Sequence, residues 1–177
     1  MTEANHPGTF LPPRNQDRAT SADEAWQVLR SPDVQYGFLG THGVAEEGNF
    51  PYVLPMNFAA DREAAALYFH STSETASKRY RAVRENAKAS FTVVDPISAI
   101  VPDPQGRPCK FSMRYRSVMV FGEIAEVESA DEKARCLDFL MQQKAGNVPL
   151  ERVRPEDVGN VVIWKLQVQQ ISGKKGG

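Results

Sequence analysis

The chain has 177 residues, of which 41% are hydrophobic, a size that suits one well-buried core and leaves little room for two domains. Its net charge of −1 gives no bulk attraction to nucleic acid or to an anionic membrane surface. No apolar run approaches the roughly 20 residues that cross a bilayer, and the first residues, MTEANHPGTF, lack the basic and then apolar pattern of a signal peptide. These features predict a soluble, cytoplasmic protein that binds neither nucleic acid nor a membrane.

The cysteines and histidines give no metal or disulfide pattern. Cys109 and Cys136 have neither the spacing of metal ligands nor that of a disulfide framework, so reduced structural thiols are expected. The histidines, His6, His42 and His70, lie far apart in the sequence, and no metal site is predicted from them.

The N-terminal third predicts an arm, a helix and a strand. Residues 1–19 carry prolines among polar residues with no period, which is typical of a flexible arm or of a strap across a partner. The run from Ser21 to Glu24 matches a capping box, so a short helix is expected from there to Pro32. The apolar run YGFLGT, Tyr36 to Thr41, predicts the first strand.

A hairpin is predicted from Gly48 to Ser71. Its first arm, PYVLPMNF, alternates between two faces as an extended strand does, and its second arm is LYFHS. Pro55 has no N–H to donate to a sheet, so its place in this arm indicates an edge strand, a bulge or a break. Backbone groups near Pro55 would then need another partner.

A helix with a basic flank is expected next, between Ser73 and Asn86, where apolar residues recur at helical spacing. Ser77 and Lys78 lie at its start, where free amides, a hydroxyl and an ammonium group would bind an anion. The arginines that follow are interpreted as a solvated face. We interpret the two hairpin arms and this helix start as a cradle for a flat ligand that carries a phosphate.

The middle of the chain predicts two strands joined by a long loop. The β-branched run that ends at Asp95 is a strand closed by Pro96. The proline-rich segment ISAIVPDPQGRPCKF follows, and loops of this length are often functional. Residues 113–127 then alternate for too long to form a flat strand, and Gly122 offers a place to bend.

The C-terminal part predicts a helix, a strand and a tail. A second capping box begins at Ser129 and opens a helix that stops near Gly146. Alternation from Val162 to Val168 predicts the last strand, and residues 171–177 are expected to be a disordered tail. The fold class is therefore mainly β with peripheral α: about six mostly antiparallel strands closed on themselves, with about three helices, over residues 20–170.

Several segments, in this order, resemble a known family. The segments are YGFLGT, PYVLPMNF, LYFHS with Lys78 following, and CKFSMRYRSVMVFGE. Together they resemble the FMN-binding split-barrel superfamily, in particular its pyridoxamine 5′-phosphate oxidase-like branch, which includes the nitroimidazole-resistance proteins. The resemblance implies a homodimer of six-stranded barrels with two flavin sites in the clefts between subunits.

The resemblance also implies roles for individual residues. The PMNF segment would line the isoalloxazine edge, Ser71 and Lys78 would hold the phosphate, and the RYRS segment would lie near the cleft, where it could reach the other subunit's flavin. His70 and Tyr115 would position or protonate the acceptor, although His70 could equally be a hydrogen-bonded barrel residue. Strand alternation places Arg114 and Arg116 on one face and does not decide which of them points into the cleft. Both could instead pair with Glu123 or Glu126. The implied cofactor-binding residues are Leu54, Pro55, Met56, Asn57, Phe69, His70, Ser71, Ser77, Lys78, Arg114, Tyr115, Arg116 and Ser117.

The function implied is that of an FMN-dependent oxidoreductase that takes electrons from NAD(P)H and reduces a small organic acceptor, such as a nitroaromatic or nitroimidazole. The C-terminal run WKLQVQQ lacks the arginine expected of a true pyridoxamine 5′-phosphate oxidase, which argues against vitamin salvage. Two alternatives remain open: a haem-binding or haem-degrading protein on the same barrel, and a non-catalytic FMN-binding module.

Overall fold

The structure is a computed structural model that describes residues 9–72, 77–95, 99–146 and 148–176. Within these ranges the chain is mainly β with three α-helices, as predicted. The strands are β1 (Thr9–Phe10), β2 (Tyr36–Thr41), β3 (Tyr52–Asn57), β4 (Ala59–Asp61), β5 (Ala66–Thr72), β6 (Lys88–Val94), β7 (Ala99–Val101), β8 (Ser112–Glu126) and β9 (Val161–Gly176). The helices are α1 (Ala22–Arg30), α2 (Lys78–Glu85) and α3 (Ala130–Lys144).

Seven strands form one curled sheet in the order β3-β2-β6-β8-β9-β5-β4, and all neighbours along this path are antiparallel. The split-barrel fold class is confirmed. The strand count exceeds the predicted six because the short strands β1, β4 and β7 carry too little alternation to be recognised in the sequence.

The main core lies on the concave side of this sheet. Phe58, Phe69, Phe91 and Trp164 pack there with α1, whose Trp26 is also buried. The helix α3 covers the opposite face of β5 and β9, over a smaller cluster. Because side chains alternate along a strand, neighbouring residues of β5 face these two different layers.

The helices α1 and α3 begin where the sequence indicates. Both halves of the predicted capping box at α1 are present: the Ser21 amide donates to Glu24 Oε2 at 2.8 Å, and Ser21 Oγ accepts from the Glu24 amide at 3.1 Å. At α3, Ser129 Oγ accepts from the Glu132 amide at 3.5 Å. Side-chain caps of this kind satisfy the amides that a helix start leaves without partners.

The long strands β8 and β9 bend at the predicted position. Their register shifts between Phe121 and Gly122, which marks a β-bulge. A Cβ atom on Gly122 would lie 1.9 Å from the carbonyl oxygen of Gln167, so only glycine allows this close approach.

The described residues at both chain ends are more regular than the sequence predicts. β9 continues to Gly176, so residues 171–176 form strand rather than a disordered tail, because the first half of β8 offers them backbone partners. The predicted flexible arm lies along the same chain's β9: Thr9 and Phe10 pair with it in parallel, and Ala19 bridges to Lys174. Residues 1–8 of that arm lie outside the described residues.

The proline-rich segment is more regular than predicted. β7 pairs with the first residues of β8, from Ala99 opposite Arg114 to Val101 opposite Ser112, so a two-stranded arm extends from the sheet. Cys109 is exposed on this arm, Cys136 is buried, and both thiols are free. No helix in the described ranges has the length and apolar character needed to span a bilayer.

Candidate functional site

The strand β3 is the open edge of the sheet. Its ladder with β2 runs unbroken from Tyr36 opposite Asn57 to Thr41 opposite Tyr52, and Pro55 lies within it, opposite Phe38. Of the three alternatives for Pro55, the edge strand is therefore correct, and the bulge and the break are wrong. At an edge, the N–H groups of alternate residues point away from the sheet, so a proline fits there without a lost ladder bond. The edge still offers backbone groups to a ligand.

The first turn of α2 lies against this edge and against β9. Ser77 is its N-cap and accepts from the Tyr80 amide at 3.3 Å. The Lys78 ammonium lies 5.6 Å from the ring centre of Tyr52, and Arg79 Nη1 lies 3.7 Å from Met56 Sδ, so both cations reach β3. The predicted start of this helix at Ser73 lies outside the described residues.

A buried tryptophan connects the helix to β5. The Trp164 ring packs edge-on against Tyr80 of α2, with 5.8 Å between ring centres, and its indole N–H donates to Ser71 Oγ at 3.2 Å. A hydroxyl that accepts one hydrogen bond can still donate its own proton. Ser71 is thus connected, through Trp164 and Tyr80, to the helix start that carries Ser77 and Lys78; we call Ser71, Ser77 and Lys78 the Ser71–Lys78 cluster.

The basic side chains of α2 are engaged by an acidic turn that the sequence reasoning missed. Glu47 lies in the 3₁₀ turn Ala45–Glu47 after β2, where Lys78 Nζ is 3.0 Å from its Oε2 and Arg81 Nη2 pairs with its Oε1. The hydrogen bond from Lys78, together with the two positive charges, lowers the pKa of the Glu47 carboxyl. In the sequence, the arginine-rich face of α2 is the one feature that could have indicated an acidic partner.

The predicted hairpin is wrong as a pairing, because its two arms are not neighbours in the sheet: β3 pairs with β2, whereas β5 pairs with β4 and β9. The residues of β3 divide between two faces. Met56 is buried and Leu54 is half-buried on the core side, whereas Pro55 and Asn57 are exposed on the other face, where Asn57 Nδ2 donates to Gln35 O at 3.0 Å. The side chains of PMNF therefore do not share one surface. A ligand at the edge would contact this segment mainly through its backbone.

His70 lies away from the Ser71–Lys78 cluster within one chain. Phe69 and Ser71 face the core side of β5, and His70, between them, is exposed on the side that carries Tyr68. The structure does not bring His70 together with Ser71. Its place beside a flavin ring stays a prediction.

The RYRS segment begins β8 and is held in its own chain. Arg116 donates from Nε to Asp95 Oδ2 at 2.9 Å and pairs with the same oxygen through Nη2, so its partner is Asp95 rather than Glu123 or Glu126. Arg114 is exposed. The other two members, Tyr115 and Ser117, lie near Lys174: its Nζ is 5.9 Å from the centre of the Tyr115 ring, and Lys174 is the register partner of Ser117.

The convex face of β3, β2, β6 and β8 is apolar and uncovered. Pro55, Phe38, Thr92 and Met119 follow one another in register across the four strands. The large apolar side chains exposed on this face are Tyr36 at 57%, Phe38 at 48%, Val53 at 58%, Val94 at 46% and Met119 at 43%. A contiguous patch of this kind usually marks an interaction surface.

A cavity of about 570 Å³ opens on the same convex face. Its polar lining was missed by the sequence reasoning and comprises Thr41, His42, Asn49, Lys88, Ser90, Gln169 and Gln170. Gly40 and Gly122 also line it, and glycines inside strands are the one sequence signal of such a close approach. In the described ranges, no three His, Cys, Asp or Glu side chains gather to hold a metal ion.

The curled antiparallel sheet defines a split-barrel protein, and the basic helix start lies beside the open edge of that sheet. Residues 21–175 match the family model described as pyridoxamine 5′-phosphate oxidase, and the chain belongs to this family. Among curated proteins, none matches the chain.

Solved structures share the fold over most of the chain. A candidate 5-nitroimidazole antibiotic resistance protein from Bacteroides thetaiotaomicron is 25% identical, with a TM-score of 0.73, over 90% of this chain and 87% of that one. The flavocytochrome Anf3 from Azotobacter vinelandii is 20% identical, with a TM-score of 0.71, over 92% and 71%. A FAD-binding protein from Mesorhizobium loti is 21% identical, with a TM-score of 0.57, over 90% and 96%.

Proposed function

We propose that this protein is an FMN-dependent oxidoreductase that reduces a small organic acceptor with electrons from NAD(P)H. The observation that carries the proposal is the Ser71–Lys78 cluster beside the open β3 edge, in a chain of the pyridoxamine 5′-phosphate oxidase family. Serine hydroxyls, an ammonium group and free helix amides form the donor set that a phosphomonoester requires. The residues present therefore fit FMN.

The chain's own groups would bind and orient the cofactor. Lys78 and the first amides of α2 would face the phosphate, while Ser71, fixed as an acceptor by Trp164, would donate its proton to a phosphate oxygen. Backbone groups of the β3 edge, between Leu54 and Asn57, would bond the polar rim of the ring. FMN supplies the redox chemistry, and the protein supplies position and electrostatics.

We further propose a homodimer formed through the convex apolar face. An exposed patch that includes Phe38 and Met119 supports this, because a monomer would leave the patch in water. Arg114, Tyr115 and His70 belong to this proposal as well. None of them contacts the Ser71–Lys78 cluster in the described part of one chain, so they would reach a flavin only across the subunit boundary.

For the acceptor we propose a nitroaromatic compound such as a nitroimidazole, reduced to the amine. The 25% identity with the Bacteroides protein, which is described as a candidate 5-nitroimidazole antibiotic resistance protein, supports this class. Tyr115 and His70 would position or protonate the acceptor.

The purified protein tests the proposal through its absorption spectrum. Two broad visible bands, bleached by anaerobic NADH or NADPH and restored by a nitroimidazole, are expected. One intense sharp band would instead indicate haem, and bands that resist bleaching by either nicotinamide would indicate a non-catalytic FMN carrier.

The double variant Ser71→Ala/Lys78→Ala tests the phosphate site. We expect it to bind FMN at least about tenfold more weakly, because charge-assisted hydrogen bonds are among the stronger polar contacts. Lys110→Ala, which removes an exposed lysine from the 3₁₀ turn Pro108–Lys110, is the control and should bind normally. Full FMN occupancy in the double variant would contradict this site.

A further inference from the structure

Glu47 forms ion pairs with two basic side chains of α2, Lys78 and Arg81. Its Oε2 lies 3.0 Å from Lys78 Nζ, and its Oε1 pairs with the guanidinium of Arg81. Each carboxylate oxygen thus has its own cation. The ammonium group assigned to the ligand phosphate therefore already holds an anion that belongs to the chain.

The turn that carries Glu47 is attached to α2 by a second contact. The Glu85 carboxylate accepts a hydrogen bond of 3.2 Å from the Ala45 amide. Gly48 and Asn49 follow with positive φ values of 80° and 56°, which turn the chain back towards β3. The position of the turn consequently does not depend on the Glu47 side chain alone, and the carboxylate can leave its cations without moving the backbone.

The ion pairs themselves are open to exchange. The side chains of Lys78 and Glu47 are 30% and 33% exposed, and that of Arg81 is 41% exposed. Ion pairs in contact with water are worth little, since both partners are well solvated when separated. A phosphomonoester carries a charge of about −1.5 to −2 near neutral pH, against −1 for a carboxylate, and offers three acceptor oxygens. It is the stronger partner for these cations.

We propose that Glu47 is an internal competitor at the phosphate site, which discriminates between anionic ligands by charge: a dianionic phosphomonoester displaces it from Lys78, and a monoanion does so far less readily. The inference rests on the proposed function in that it takes Lys78 as the phosphate ligand. Glu47 therefore lowers the affinity for every anion at this site, and most strongly for monoanions, whereas the affinity for a neutral ligand that does not bind Lys78 is unchanged.

Glu47→Gln tests the inference, because it removes the charge and keeps the size of the side chain. The matched control is Glu46→Gln, which makes the same charge change one residue earlier, at an exposed side chain for which the described structure shows no partner. Quenching of flavin fluorescence gives the Kd values for FMN and for riboflavin. We expect Glu47→Gln to bind FMN about 3- to 10-fold more tightly, with riboflavin unchanged, and Glu46→Gln to match the wild type.

Two results would overturn the inference. Weaker FMN binding by Glu47→Gln would mean that the carboxylate positions Lys78 rather than competing for it. If Glu47→Gln and Glu46→Gln bound FMN more tightly by the same factor, the effect would come from long-range electrostatics and not from competition for Lys78.

A phosphate titration separates this inference from the proposed function. The rise in Tm on addition of inorganic phosphate reports anion binding without any flavin, and it should be larger for Glu47→Gln than for the wild type or for Glu46→Gln. If no variant binds flavin but this order holds, the proposed function fails and the Glu47 inference stands. If the wild type binds FMN and the phosphate response is the same in all three proteins, the inference fails alone.

Discussion

The indole N–H of Trp164 donates a hydrogen bond of 3.2 Å to the hydroxyl oxygen of Ser71, and this bond joins β9 to β5 beside the start of α2. Trp164 is 2% exposed, so its N–H could not find water if the serine were absent. The bond also fixes Ser71 as an acceptor, which leaves its O–H free to point outward.

Trp164→Phe should therefore affect both stability and flavin binding. We expect the free energy of unfolding to fall by about 1–3 kcal/mol, from the lost hydrogen bond and the smaller ring. FMN affinity should fall a few-fold, because the Ser71 hydroxyl would then rotate freely. Urea unfolding and fluorescence titration measure the two effects.

Trp26→Phe is the control for this substitution. Trp26 is equally buried, at 1% exposed, and its indole N–H has no partner among the residues that the structure describes. The exchange removes a similar volume and no hydrogen bond, so stability should fall less and FMN affinity should stay unchanged. A similar loss of FMN affinity in both variants would show that Ser71 has no special role.

Substitution of the two arginines of the RYRS segment should lower stability by different amounts. The carboxylate of Asp95 is 4% exposed and accepts from Arg116, so Arg116→Ala leaves a buried charge with one partner fewer. We expect a loss of about 1–3 kcal/mol in the free energy of unfolding. Arg114→Ala, at an exposed side chain, should cost less than about 0.5 kcal/mol. The reverse order in urea unfolding would contradict the structural role of Arg116.

The proposed dimer predicts that a charge on the convex face separates the subunits. Phe38 lies in the middle of this face at 48% exposure, and Phe38→Lys would place an ammonium group in the interface. Light scattering should then report a folded monomer where the wild type is a dimer. Val148→Lys, at a 61% exposed apolar residue outside this face, is the control and should stay dimeric. A wild-type protein that is already monomeric would exclude the dimer.

Local signals in the sequence were sufficient for much of the fold. The capping box at Ser21 and the strand from Tyr36 depend on hydrogen bonds and alternation within a few residues, and both are present. Gly122 predicted the bend correctly, because a glycine inside a long strand often marks a bulge or a bend. The C-terminal strand was cut short in the prediction, since Gly173 and its neighbours form a strand only because β8 lies beside them.

The candidate site was predicted only where the contact follows from sequence neighbours. Ser77 and Lys78 adjoin each other on α2, so a helix start was enough to group them. The link from Ser71 to Trp164 spans 93 positions, and Glu47 reaches α2 from a turn that has no pattern of its own. The resemblance implied that His70 and Ser71 both contact the cofactor, yet strand alternation places the two side chains on opposite faces.

A half-buried lysine gives the chain a pH-dependent stability that sequence could not indicate. Lys144, at the end of α3, donates from Nζ to the carbonyl oxygen of Val34 at 2.6 Å and lies 4.3 Å from the ring centre of Phe58. Both contacts favour the ammonium form. Burial nevertheless lowers the pKa of Lys144 from its ordinary 10.5 to about 8.

The direction of the pH effect follows from this lowered pKa. Above about pH 8 the folded chain releases the proton of Lys144 while the unfolded chain still binds it, so stability rises with pH in this range. Burial raises the pKa of Cys136 from its ordinary 9.0 to about 11, so this thiol makes the folded state less stable above about pH 9.

The effect of Lys144 on stability is therefore best measured between pH 7 and pH 9. Over that range we expect the wild type to gain about 1 kcal/mol relative to Lys144→Met in urea unfolding. Lys110→Met, at an exposed lysine, should follow the wild-type curve, and a Lys144→Met curve parallel to the wild type would show that Lys144 does not titrate there.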